Sequence, residues 1–188
     1  MRALFPAIVL LLMPALSYQG AGANPGESPG FLEQDPVKIS STDFHGQSTW
    51  LLGYIDPAMF TRPPHNEWFL NGFDEYNADS VVLGKLRETL PDGLSIKVVL
   101  GTWCPDSRRE VPRFMKITGL LGVDQADMTF IGVDDAKISP VGEYEELGIE
   151  RVPTFIFYKN NVEAGRIIEN PVSSLEQDML DILTGNKK

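Results

Sequence analysis

Cysteine is almost absent from this sequence of 188 residues, which contains only Cys104. A single thiol cannot form an internal disulfide, so a disulfide framework is excluded as a source of stability. A copper-carrying site built from two cysteines and a histidine is excluded for the same reason. Three alternatives stay open for Cys104: a working thiol, a covalent link to a second molecule, and a small core residue.

Positive charge is also scarce, with 16 Lys and Arg against 26 Asp and Glu and a net charge of −10. Nucleic acid is therefore excluded as a partner, because binding phosphates requires a basic surface. The sequence has no glycine-rich phosphate loop and no H-E-x-x-H zinc motif. His45 and His65 are isolated and predicted to have surface or capping roles, and Asp134-Asp135 is predicted to be a solvated loop. We expect neither a metal nor a cofactor.

One apolar run stands out, residues 3–16, which follows the basic residue Arg2. About 14 apolar residues are too few to span a bilayer, so we predict no stable membrane insertion. Small residues follow this run, with an A-x-A pattern at residues 21–23. This arrangement is typical of a secretory signal peptide, predicted as residues 1–23, and it predicts a periplasmic or secreted protein.

The remainder divides into a lead-in and one domain. Residues 24–36 are rich in Pro, Gly and acid and predict a flexible segment. Residues 37–188 are predicted to form a single domain. Within it, residues 50–52 are strand-like, and residues 67–90 have a helical pattern in two pieces, the second capped at Asn77 or Asp79.

From residue 95 onward the pattern predicts the order β-α-β-α-β-β-α, which favours a sheet with helices on both faces. Asn160-Asn161 predicts a tight turn between the last two strands, because asparagine tolerates left-handed backbone. The predicted strands are 96–100, 128–133, 154–158 and 165–168. The predicted helices are 105–118 (ended by Gly119), 143–147 (closed by Gly148) and a last one capped by Ser173 or Ser174.

Cys104 falls where a predicted strand ends and a helix begins, with Pro105 suited to the first helical position. Free backbone N–H groups there favour negative charge, and hence the reactive thiolate. Ser107, three residues on, is predicted to point inward and to offer its hydroxyl to the sulfur. Asp106 opposes a thiolate whereas Arg108 and Arg109 favour one, so we expect only modest activation.

The residues 103–107, W-C-P-D-S, resemble the thioredoxin-like active site W-C-x-x-C with the last cysteine replaced by Ser107. Pro112 lies inside the following helix, as the kinking proline of that family does, and residues 151–154 resemble its cis-proline loop. The resemblance covers residues 95–185. It implies an α/β thioredoxin-like fold: a three-layer sandwich with a central mixed β-sheet, helices on both faces and an N-terminal extension.

The resemblance also implies the site. Pro153 is expected to be cis and to pack beside Cys104, while the main chain of Val152 faces outward to pair with an extended peptide. Cys104 and Ser107 would be the catalytic residues. The substrate-binding residues would be Trp103, Pro105, Val152, Pro153 and Thr154.

Two departures from the family matter. Val98 stands where thioredoxins place a buried acid, and Ser107 cannot resolve a mixed disulfide. Two functions therefore remain open. One is thiol–disulfide exchange or isomerisation on client proteins with disulfides or modified thiols, with an external thiol as reductant. The other is a redox-inactive protein-binding module. A homodimer linked through Cys104 is a third alternative.

Overall fold

A computed structural model of the chain describes residues 49–186. The predicted signal peptide, the lead-in, His45 and residues 37–48 lie outside this range. Within it, no helix combines the length and the apolar character needed to cross a bilayer.

The described part is built on one five-stranded sheet with the order β1-β3-β2-β4-β5. The parallel pair β2–β3 joins antiparallel neighbours, so the sheet is mixed, as predicted. The strands are β1 Gly53–Tyr54, β2 Leu94–Leu100, β3 Met128–Gly132, β4 Thr154–Lys159 and β5 Val162–Ile168.

The four α-helices are α1 Asn66–Glu75, α2 Ser80–Thr89, α3 Pro105–Leu121 and α4 Leu175–Leu183. All four pack on the sheet face that carries Val98 and its neighbours Phe130 and Phe155. Because side chains alternate along a strand, Val99 belongs to the opposite face. That face is covered by the segment 133–152, which includes the 3-10 helix Glu145–Leu147. The chain therefore has the predicted three layers, but all four α-helices lie on one face, and the helix predicted at 143–147 on the other is only this 3-10 turn.

The first two helices confirm the predicted division of residues 67–90. The Asp79 carboxylate caps α2 by accepting hydrogen bonds from the N–H groups of Val81 and Val82. Helix α1 lies against α3 at Gly72, where an added Cβ would stand 2.7 Å from Cγ of Pro112. The absence of a side chain at Gly72 thus permits the close approach of these helices.

Helix α3 is longer than predicted. Gly119 remains helical, and the helix ends at Leu121 because Gly122 adopts a left-handed conformation with φ of 75°. Its apolar face is buried, and Phe114 packs against Phe155 with ring centroids 4.4 Å apart. This contact fixes the helix that begins at Cys104 to the centre of the sheet.

The remaining differences are local. The predicted strand at residues 50–52 is wrong: β1 begins at Gly53, because the Leu51 N–H donates to Thr102 Oγ1 rather than to a strand. The turn at Asn160 and Asn161 is confirmed, with φ of 51° and 65°. Strand β5 begins earlier than predicted, and of the two candidate caps Ser174 is the one that caps α4.

Candidate functional site

Cys104 is the residue directly before α3, four residues after β2 ends at Leu100. Its N–H donates to the Gly101 carbonyl at 2.9 Å, and its own carbonyl accepts from Arg108 N–H at 3.0 Å. The first bond closes a tight turn and the second begins the helix. The predicted placement of the sulfur at the start of a helix is confirmed.

The sulfur is shielded. Cys104 is 6% exposed and packs with the smaller apolar cluster on the second sheet face. Its Sγ donates to the Val152 carbonyl at 3.3 Å. The thiol therefore has a hydrogen-bond acceptor and little contact with solvent.

The bond between Val152 and Pro153 is cis, as the resemblance implied, and the loop faces Cys104. The expectation that both main-chain polar groups of Val152 face outward is only half met, because the carbonyl accepts the Cys104 thiol. No partner for the Val152 N–H occurs within residues 49–186. The Pro153 carbonyl accepts from Glu169 N–H at 2.7 Å, and Thr154 is buried with its hydroxyl on the Arg151 carbonyl.

Ser107 is fully buried, so the prediction that it points inward is confirmed. Its Oγ, however, accepts from Gly101 N–H at 3.2 Å, and no hydrogen bond in the described part of the chain joins it to the Cys104 sulfur. The predicted direct support of the thiolate by this hydroxyl is therefore not what the structure shows. Ser107 instead holds the turn that carries Cys104.

Trp103 is half-buried, and its Nε1 donates to the Val133 carbonyl at 3.1 Å. Its ring lies over Gly101 and meets the ring of Trp50 at 6.2 Å between centroids. Pro105, the first residue of α3, is exposed. Trp103 thus folds back onto the end of β3. Pro105 is the predicted binding residue most open to solvent.

The opposing charges around the sulfur are largely paired with one another. Arg109 donates to Asp106 at 2.6 Å and to Glu110 at 2.6 Å, and it also reaches Asn170. These contacts raise the pKa of Arg109, mainly through the hydrogen bond to Glu110. Asp106 therefore opposes a thiolate less than its formal charge suggests.

His65 and Arg108 lie together near the turn at residues 101–104, on the side where α1 packs on α3. His65 is 5% exposed, so the predicted surface role is wrong; it occupies the N-cap position of α1, but its side chain makes no capping hydrogen bond. Burial lowers the pKa of His65, and the positive charge of Arg108 lowers it further. Arg108 Nε donates to the Thr102 carbonyl at 2.6 Å. The packing of α1 on α3 brings the two residues together, and their separation in sequence gave no signal of it.

Val98 is fully buried in the middle of β2, where it pairs with Phe130 and Phe155. No titratable side chain occupies that position to receive a proton from the thiol. Asp134 accepts from Ile138 N–H at 2.7 Å and so braces its own loop. Across residues 49–186, no group of three or more His, Cys, Asp and Glu side chains gathers as metal ligands would.

No protein-family model matches the chain, and no curated protein matches it. Solved structures do. A protein of unknown function from Pseudomonas aeruginosa is 15% identical, with a TM-score of 0.54 over 71% of this chain and 94% of its own. A thioredoxin from Fasciola hepatica is 19% identical, with a TM-score of 0.36 over 54% of this chain and 88% of its own. Thioredoxin O2 from Arabidopsis thaliana in its oxidised state is 21% identical, with a TM-score of 0.35 over 54% and 81%.

Identities this low speak for the fold alone. The mixed five-stranded sheet and the helices packed on it give the chain an α/β thioredoxin-like fold.

Proposed function

We propose that this protein catalyses thiol–disulfide exchange on client proteins through Cys104, with isomerisation of client disulfides as the net reaction. The observation that carries the proposal is the contact between the Cys104 sulfur and the Val152 carbonyl, 3.3 Å apart, beside a cis-proline. It sets the only thiol of the chain next to main-chain groups that can pair with an extended peptide.

A client would exchange one hydrogen bond for another. When it docks, the Val152 carbonyl releases the thiol and accepts a client N–H, while the Val152 N–H, which has no partner within residues 49–186, donates to a client carbonyl. The freed Cys104 loses its proton to water, and the first turn of α3 stabilises the resulting negative charge. Docking and activation are thereby coupled, because the same carbonyl takes part in both.

The reaction requires no second cysteine. The Cys104 thiolate attacks one sulfur of a client disulfide, a mixed disulfide forms, and the other client sulfur leaves as a thiolate that takes a proton from water. A different client thiolate then attacks the client sulfur of the mixed disulfide and releases Cys104 in its starting form. No net oxidation or reduction takes place, so Ser107 need not be a resolving thiol, and an external thiol is needed only for net reduction.

The test is reactivation of a protein with scrambled disulfides. We expect the purified protein to restore native pairing, Cys104→Ala to abolish this effect, and a mixed disulfide with the client to be seen by mass spectrometry. Ser107→Cys should make that adduct short-lived, because the new thiol attacks it at high effective concentration. Absence of both reactivation and adduct would rule out the proposal, and a disulfide-linked dimer on a nonreducing gel would support the homodimer instead.

One observation favours the second candidate, a binding module without redox turnover: Cys104 is only 6% exposed. Alkylation by iodoacetamide separates the two candidates. If Cys104 turns over, a docked client peptide should change the alkylation rate. It should either speed alkylation, by freeing the thiol from the Val152 carbonyl, or block alkylation, by forming a mixed disulfide with Cys104. If the protein only binds, alkylation should stay as slow with the peptide as without it, while peptide binding persists in Cys104→Ala.

A further inference from the structure

A cavity of about 410 Å³ opens where α1 packs on the start of α3, and no residue of the cis-proline loop lines it. Helix α1 supplies Glu67, Trp68 and Asn71 to its wall, and α3 supplies Arg108. His65, the residue directly before α1, also lines the cavity. The volume is in the range of small-molecule sites, and polar groups converge on an aromatic surface, as such sites require. The thiol chemistry proposed above makes no use of this cavity.

Within the described part of the chain, Arg108 is the one arginine that lines the cavity, and it supplies the positive charge of the wall. Its Nε is used by the Thr102 carbonyl, which fixes the guanidinium in place. No carboxylate lies within ion-pair distance of it among the described residues, whereas Arg109, its neighbour, is paired with two. The terminal N–H groups of Arg108 are thus held in place and have no acceptor within residues 49–186, in a protein whose net charge is −10.

His65 limits which anion would fit. Burial and the Arg108 charge lower the pKa of His65 and outweigh its hydrogen bond with the Thr49 main chain, so at neutral pH it contributes a neutral imidazole. Glu67 is the one acidic residue of the wall, and it disfavours a doubly charged anion such as phosphate. A single negative charge, planar and bidentate, is the best match for one guanidinium.

The apolar part of the wall adds a second requirement. The Trp68 ring lies edge-on to His65 at 6.1 Å between centroids, and Pro64 lies in the same wall. These surfaces are the smaller part of a mainly polar lining, and they suit one flat apolar face attached to the charged group. We infer that this cavity is a binding site for a small carboxylate with an apolar body, held by the Arg108 guanidinium and seated against Trp68.

The test uses benzoate as the probe and the full chain as the protein. Benzamide has the same size without the charge, and phosphate has charge without the ring. The readout is the indole N–H resonance of Trp68, assigned with Trp68→Phe, since the chain has three tryptophans. We expect a saturable shift with benzoate and binding at least about tenfold weaker for benzamide and phosphate, as a charge-assisted bidentate contact implies. An equal response to benzamide, or no shift with benzoate, overturns the inference.

Two substitutions distinguish a specific site at Arg108 from a general attraction of benzoate to positive charge. Arg108→Gln should weaken benzoate binding about tenfold or more, whereas Arg87→Gln should leave it within twofold. Arg87 is the matched control, because it also donates to a main-chain carbonyl, that of Leu120 at 2.7 Å, and it lies outside the cavity wall. Equal losses in the two variants overturn the inference.

A third variant covers the case in which Arg108→Gln disturbs the turn through its lost bond to Thr102. Glu67→Gln removes the opposing charge without touching that bond, and it should strengthen benzoate binding by roughly twofold to threefold. Unchanged or weaker binding contradicts the assignment. Since Cys104→Ala should bind benzoate normally, failure of this site and failure of the proposed thiol chemistry are distinguished.

Discussion

The two flanks of the turn at residues 101–104 differ in what they leave accessible. On the cis-proline flank the sulfur of Cys104 is buried and bonded to the Val152 carbonyl. On the opposite flank a polar cavity is open and its guanidinium, Arg108, has no acidic partner within residues 49–186. The chemistry of the first flank requires an opening step, whereas binding at the second requires none.

The same short turn is anchored from both flanks. Trp103 fixes it to the Val133 carbonyl on one, and Arg108 fixes its Thr102 carbonyl on the other. A rigid turn holds the sulfur at the start of α3 but also keeps it shielded. One turn therefore both places and shields the Cys104 sulfur, whereas the hydrogen-bond acceptor of that sulfur comes from the cis-proline flank alone.

Phe114→Ala should disturb the thiol flank and the cavity flank together, and we expect it to have the largest effect on the free energy of unfolding. Phe114 is fully buried and fixes α3, which carries Arg108 and follows Cys104, to the rings of Phe155 and Phe157. We expect the free energy of unfolding to fall by about 3–5 kcal/mol, as for other buried Phe→Ala changes. Urea unfolding measures it.

Leu120→Ala is the control on the same helix, at a position that is 47% exposed. It should change the free energy of unfolding by at most about 0.5 kcal/mol. Similar losses in the two variants would mean that α3 is not held through its aromatic contact with the sheet.

Gly101→Ala should disturb the thiol flank and spare the cavity, with a smaller effect. A Cβ at Gly101 would stand 2.5 Å from Trp103 Nε1, so the ring has to move and its bond to Val133 is lost. We expect a loss of about 1–3 kcal/mol in the free energy of unfolding, with faster alkylation of Cys104. Urea unfolding and iodoacetamide labelling measure the two effects.

Gly119→Ala is the matched control, because Gly119 lies in α3 with nothing within 4 Å of an added Cβ. It should raise the free energy of unfolding by about 0.5–1 kcal/mol and leave alkylation unchanged. Alkylation that stays slow in Gly101→Ala would show that Trp103 does not shield the sulfur.

The sequence was most informative where local chemistry decides the structure. Asp79 as a cap, the asparagine turn before β5 and the inward side of Ser107 follow from single residues and helical spacing. The end of α3 was misplaced because two glycines, Gly119 and Gly122, are both permitted stops. Only the backbone conformation of Gly122, with φ of 75°, separates them.

The rest depends on contacts between distant segments, which spacing does not reveal. Ser107 was expected to serve the sulfur, but the geometry of the turn gives its oxygen to Gly101 N–H. In the sequence His65 is isolated, because its neighbour Arg108 is 43 residues away along the chain and meets it only once α1 packs on α3. The motif around Cys104 is thus predictable from the sequence, whereas the cavity that His65 and Arg108 line is not.

His65→Gln tests the cavity flank alone and gives the smallest effect. Burial and the Arg108 charge lower the pKa of His65 in the folded protein, so the unfolded chain binds a proton more readily. The stability from neutral His65 is complete above its unfolded pKa of about 6.5 and is lost as pH falls toward the lower folded value. The hydrogen bond with the Thr49 main chain opposes part of this shift, and Glu67 is the acidic residue of the same cavity wall.

Urea unfolding at pH 7.5 and pH 5.5 measures the difference. The unchanged protein should lose more stability over this interval than His65→Gln does. Arg108→Gln should fall between the two, because it removes one of the two causes of the lowered pKa and leaves the burial. If all three proteins lose stability in parallel, His65 is not held neutral by its surroundings. The contrast between a closed thiol flank and an open cavity flank, in which Arg108 lies beside a neutral His65, would then lose its electrostatic basis.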